Sequence, residues 1–166
     1  ELLKQGLSRD LQWSAVRSGW LTPIGTGAFT MLQEQVSLEG ALYTLQKELE
    51  ISIHQGGYTA LSEKYGKTHN LAVARNPQLF CYRGEKVPAW FQSNYGSAYD
   101  LFTTTFLPSD VGLTEHDTGN FTLSIPVQER AILEMLYLTA SVHTLQETYQ
   151  ILELLTTLRP AVVQSS

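Results

Sequence analysis

Leu3-Lys-Gln-Gly-Leu-Ser-Arg-Asp-Leu-Gln-Trp-Ser-Ala-Val-Arg-Ser-Gly-Trp-Leu-Thr-Pro-Ile-Gly-Thr-Gly-Ala-Phe29 is the stretch on which the reading of this chain turns. Gly6 is able to take the left-handed backbone that ends one helix, Leu7 supplies an apolar anchor, and Ser8 offers a hydroxyl to cap the next helix. Gly19 closes that second helix, predicted over residues 8–18. Leu11, Ala15 and Val16 fall on its inner side, which leaves Asp10, Trp13, Ser14 and Arg17, spaced i, i+3, i+4 and i+7, on the outer side. Trp20-Leu21 and Ala28-Phe29-Thr30 then read as two short strands around residues 23–27, a flap whose Gly25-Thr26-Gly27 tip lets backbone approach a phosphate closely. In this order the elements make most of a winged helix-turn-helix, and the outer strip is what a DNA major groove would meet. A capped helix followed by a hairpin is also ordinary protein architecture, so the pattern alone leaves both readings open.

The rest of the chain sets limits on those readings. At 166 residues, 43% apolar and 16% charged, it is long enough to bury a real core as one large or two small domains. No apolar run approaches the roughly 18 to 20 residues of a membrane helix and nothing resembles a signal peptide, so the expected location is cytoplasmic. The single Cys81 has no second cysteine for a disulfide or a zinc knuckle. Net charge is −5, the wrong sign for a protein coated in nucleic acid, but residues 1–30 carry a net +1 while residues 31–125 carry −4 and residues 126–166 carry −2. A +1 module grips phosphates weakly, so DNA binding would need further charge or a second copy. The chain opens at Glu1 and stops soon after Arg159-Pro160, which suggests a fragment whose first helix-turn-helix helix precedes Glu1.

Polar Gln33-Glu34-Gln35 reads as a linker, dividing a partial winged helix-turn-helix (residues 1–32) from an α+β domain (residues 33–166) with a truncated carboxy-terminal end. Ser37 caps a predicted helix whose Leu38, Leu42, Leu45 and Leu49 make one apolar stripe. Residues 51–54 are strand-like, Gly56-Gly57 breaks the chain, and residues 59–65 read as a helix ending at Gly66. Residues 71–74, 79–82, 98–104 and 121–125 have strand composition, with Pro88-Ala-Trp-Phe91 opening a helical turn between them. Residues 126–139 mark a buried helix, and Thr144 with Glu147 forms a capping box opening an amphipathic helix through Leu158. Leu133, Leu136, Leu152 and Leu155 are expected among the buried positions of this final helical pair.

Catalysis finds little support. Asp100, Asp110, Glu115 and Asp117 are the carboxylates available to hold magnesium, but none sits beside a lysine at the strand positions a nuclease would use, and solvated loop positions account for them. His54, His69, His116 and His143 lack metal-ligand spacing, and no Gly-x-Ser-x-Gly or Cys-His pairing is present. Glu129 suits the helix dipole and Arg130 is placed to reach a carboxylate, a structural role. We therefore expect no catalytic residue, metal or cofactor.

The order of motifs resembles the AbiEi-type antitoxins of type IV toxin-antitoxin systems. Gly-Leu-Ser-Arg-Asp10, Val16-Arg-Ser-Gly-Trp-Leu21, Leu38-Glu-Gly-Ala-Leu42, His54-Gln-Gly-Gly-Tyr-Thr-Ala-Leu61, Val87-Pro-Ala-Trp-Phe91, Gln128-Glu-Arg-Ala131 and Leu155-Thr-Thr-Leu-Arg-Pro160 carry the resemblance in fixed order along the chain. It implies a repressor of its own operon that binds inverted repeats in double-stranded operator DNA. It also implies neutralisation of a partner AbiEii toxin, a nucleotidyltransferase. DNA contact would fall on Ser8, Arg9, Gln12, Trp13 and Arg17, with Gly25, Thr26 and Gly27 of the flap; Thr26 stands where such flaps often carry a basic residue. A nuclease-related α+β enzyme and a winged-helix module that binds protein are the competing functions.

Overall fold

The computed structural model describes residues 8–25, 28–31, 36–63, 66 and 75–155. The readings made for Gly6, Leu7, Thr26, Gly27, residues 33–35, Tyr65, His69, the strand at 71–74 and the chain after residue 155 lie outside those residues.

Helix α1, Arg9–Arg17, begins where Ser8 Oγ accepts from Leu11 N at 3.3 Å and ends before Gly19, whose φ of +79° is open to glycine at little cost. It leads into an antiparallel hairpin, β1 (Leu21–Gly25) and β2 (Ala28–Met31), whose register shifts between Pro23 and Gly25. Helix α2, Leu38–Tyr43, is capped by Ser37 Oγ on Gly40 N at 3.1 Å. Over Thr44–Glu48 its last turn widens to a π-helical pattern, with Leu49 N–H donating to Thr44 O at 3.2 Å. That widening takes Leu49 off the predicted stripe: Leu42 and Leu45 are buried and Leu49 is exposed.

Strand β3 (His54–Gln55) pairs antiparallel with β4 (Gln78–Tyr82), and β4 pairs parallel with β5 (Asp100–Thr104) across helix α4, Ala89–Tyr95. Helix α3, Gly57–Glu63, follows β3 directly. A second hairpin joins β6 (Leu113–Asp117) to β7 (Thr122–Pro126). The sequence reading missed β6, because Leu113-Thr-Glu-His-Asp117 has one apolar residue and owes its extended shape to its partner. Helix α5, Gln128–Tyr137, and helix α6, Leu145–Leu154, complete a mixed α+β architecture. Thr144 Oγ1 caps α6 by accepting from Glu147 N at 3.2 Å.

Two apolar clusters hold these elements. Leu42, Leu45, Ile53, Leu79, Phe91 and Leu123 lie in one, formed by α2, the sheets and α4; Leu61, Ala131, Ile132, Met135, Ile151 and Leu155 lie in the other, formed by α3, α5 and α6. One core expectation is corrected. Leu136 is 40% exposed and Leu133 and Leu152 are only half-buried, while Arg130, Glu134 and Met135 face inward. The inward arc of α5 is set by an ion pair at i, i+4 as much as by leucines, so the apolar pattern alone placed the wrong face inside.

Candidate nucleic-acid interface and the polar core behind it

The hydroxyl cap and Gly19 fix the length of α1, and packing against β1 fixes its rotation. Its supported face centres on Gln12, Ala15 and Val16: Gln12 is the buried residue, and the two apolar residues are half-buried. Leu11 lies at the edge of that face and is 57% exposed, a departure from the predicted inner side. Arg9, Asp10, Trp13, Ser14 and Arg17 are exposed together on the opposite side. Trp13 is 64% exposed, so its ring is not folded onto the described residues. Of the expected contact residues, Arg9, Trp13 and Arg17 thus share one open strip, Ser8 spends its hydroxyl on the cap, and Gln12 sits beneath the helix.

The hairpin is not a free flap. Asn94 Nδ2 of α4 donates to Ile24 O at 2.8 Å, and Ile24 packs on the core that contains Trp90 and Phe91. Gly25 lies against α4 so closely that a Cβ there would stand 2.1 Å from Trp90 Cβ. Its small size answers to Trp90, a neighbour the sequence reading did not foresee.

Elsewhere in the molecule, two of the motifs meet at Glu134. His54 Nε2 lies 2.8 Å from Glu134 Oε1, Arg130 Nε donates to the same oxygen at 2.9 Å, and Gly57 N donates to Oε2 at 3.0 Å. Gly56 permits the approach: a Cβ there would stand 2.2 Å from Glu134 Oε2. Burial alone would push the Glu134 carboxyl up, but His54 and Arg130 beside it hold it below its usual range. The Arg130 guanidinium also donates to Pro108 O at 2.7 Å and to Val111 O, tying α5 to the loop before β6. The other His54 nitrogen, Nδ1, lies 3.0 Å from Ser52 O.

A second network joins α6 to β4. Arg75 Nη2 donates to both Glu147 oxygens, at 3.0 and 2.9 Å, and its guanidinium lies 5.5 Å from the centre of the Tyr58 ring. Gln78 Oε1 accepts from Tyr58 N at 2.9 Å, which turns its amide nitrogen toward His143 Nε2 at 3.0 Å. Arg75 Nη1 lies 3.1 Å from the other ring nitrogen, Nδ1, and burial followed by the Arg75 charge pushes the His143 pKa down. Thr59 Oγ1 accepts from Gln78 N at 2.7 Å, so the stretch from His54 to Leu61 is spent almost residue by residue on internal bonds.

The carboxylates weighed for catalysis lie on different elements, apart from Glu115 and Asp117, which share β6. Glu115 pairs with Lys47 at 2.8 Å, Asp117 accepts from Gly119 N at 2.7 Å, Asp100 begins β5, and Asp110 is exposed in a loop. Among the described residues no group of three or more His, Cys, Asp or Glu side chains is placed to hold a metal. A shallow cleft is lined in part by His54, Cys81, Phe106, Arg130 and Glu134, but the Cys81 thiol is pushed up to about 12 by burial and by Glu85, which leaves it a poor nucleophile. Among the described residues no helix is long and apolar enough to cross a membrane. Sequence reasoning missed Glu134, Gln78, Arg75, Trp90 and Asn94; the one available signal was Glu134 standing four residues after Arg130.

Comparison with protein families gives two matches that together span the chain. Residues 1–73 match the family described as transcriptional regulator, AbiEi antitoxin N-terminal domain. Residues 74–165 match the family described as transcriptional regulator, AbiEi antitoxin, type IV TA system. No curated protein matched the chain.

Proposed function

The chain belongs to the AbiEi antitoxin family of transcriptional regulators from type IV toxin-antitoxin systems, and from that premise we propose that it represses its own operon by binding double-stranded operator DNA and counters the toxin encoded with it. The observation that carries the DNA half is the open strip of Arg9, Trp13 and Arg17 on α1, set directly before an antiparallel hairpin. In a winged helix-turn-helix this strip enters the major groove, where Arg17 reaches a base edge or phosphate and the indole of Trp13 meets sugar or a thymine methyl. Ser8 and Gln12 support the helix from its cap and its underside, and residues 25–27 approach the backbone. The net +1 of residues 1–30 makes phosphate grip by one copy weak, so inverted repeats read by two copies fit the charge better than a single half-site.

Residues 33–166 carry the antitoxin role against a nucleotidyltransferase, in the cytoplasm and without catalysis. The family description, a transcriptional regulator, supports a regulatory part. Titrating full-length protein onto a duplex from the region just upstream of its gene tests the reading. Specific binding that weakens steeply with salt is expected, and Arg17→Ala costs roughly 1 to 3 kcal/mol. Equal affinity for that duplex and for unrelated DNA overturns the proposal.

A further inference from the structure

A two-stranded hairpin is marginal by itself in water, so its direction is set by what it packs on. Strand β1 packs against both α1 and α4, and the α4 contact falls at its far end, at Ile24 and Gly25. Ile24 has no register partner on β2, and Asn94 Nδ2 donates to its carbonyl at 2.8 Å. One residue later, Gly25 meets Trp90, with a Cβ there 2.1 Å from Trp90 Cβ and 3.0 Å from Trp90 Cα. Tyr95, next to Asn94, donates its hydroxyl to Val36 O at 2.7 Å. Adjacent residues of α4 therefore hold the chain at Ile24 in β1 and at Val36 just before α2. Trp90 and Phe91 root the same helix in the core.

We infer that Asn94, backed by Trp90, is a positioning residue for DNA binding: it seats the tip end of the hairpin so that hairpin and α1 engage one duplex at the same time. The inference rests on the DNA-binding reading above. A bulge that re-aims a strand end, with its freed carbonyl caught by a side chain from another element, gives the end of β1 one direction instead of many. Contact with DNA then costs the hairpin little further ordering.

Asn94→Asp tests this, because it keeps the shape, removes the N–H donor and sets a carboxylate against the Ile24 carbonyl. Asn94→Gln keeps the donor. Asn94 is exposed, so neither change disturbs the core. Full-length proteins are assayed on the upstream duplex by gel shift and hydroxyl-radical footprinting, with thermal melting alongside. Asn94→Asp should bind about three- to tenfold more weakly, the scale of one hydrogen bond, and lose protection at the flank of the footprint while its centre persists. Its melting temperature should match that of the wild type, and Asn94→Gln should restore the flank. Gly25→Ala, which must lift the tip from Trp90, should lose the same flank. Wild-type affinity and footprint in Asn94→Asp and Gly25→Ala overturn the inference alone, as does an even loss across the footprint in step with lowered melting. Failure of the wild-type protein to bind overturns the DNA reading and the inference with it.

Discussion

His54 and Glu134, eighty residues apart in sequence, meet at 2.8 Å in the interior. Glu134 also receives Arg130 and the Gly57 amide, so one carboxylate joins β3, the start of α3 and α5. Removing its charge strands a guanidinium that is buried. Glu134→Gln is expected to destabilise the protein by about 3 to 5 kcal/mol, the cost of breaking a buried pair from one side. Urea unfolding measures this, and a loss below about 1 kcal/mol would show that the pair is unimportant to the fold.

The inward arc of α5 gives a second prediction. Met135 is fully buried whereas Leu136, its neighbour, is 40% exposed. Met135→Ala should cost about 2 to 5 kcal/mol, and Leu136→Ala about 1 kcal/mol or less. Equal losses would mean that both side chains are buried in solution.

These two residues show where the sequence was legible and where it was not. Helix starts at Ser8, Ser37 and Thr144 could be read because a hydroxyl and the amide it caps are three residues apart. The glycine at 19 and the prolyl start of α4 are equally local. The inward side of α5 was not legible, since nothing local shows that Arg130 and Glu134 turn inward to meet His54. Strand β6 was hidden because its stabilisation comes from β7 rather than from its own composition. Gly25 was read as part of a tip that approaches phosphate, whereas the neighbour that limits its size, Trp90, lies in another element. Non-local partners decide the core, and one sequence does not list them.

Acid should loosen the molecule in two stages. His143 has a depressed pKa in the folded state, so the unfolded chain binds more protons than the folded one just below the ordinary histidine value, and stability falls as pH drops below about 6.5. Glu134 is also held low when folded; its contribution is complete above the usual carboxylate range and is lost as pH falls below about 4.3 toward its folded value. Melting temperature measured from pH 7.5 to 3 should fall below about pH 6.5 and fall again below about pH 4.3. In His143→Asn, which removes the titrating ring, the decline between pH 7 and 5.5 should be smaller. An unchanged slope in that variant would remove His143 from the account.

The division of labour between the α1 strip and the remainder of the chain is tested most directly by Arg17→Glu. Arg17 is exposed at the end of α1, so its replacement leaves the core alone, yet it sets a carboxylate against phosphate and forgoes counterion release. The decisive measurement pairs a gel shift on the upstream duplex with growth of cells in which the cognate toxin is induced, the variant being supplied from an independent promoter. The account predicts that the duplex is no longer shifted while growth is still rescued. A well-folded Arg17→Glu protein that fails to rescue growth, or one that still shifts the duplex as the wild type does, contradicts it.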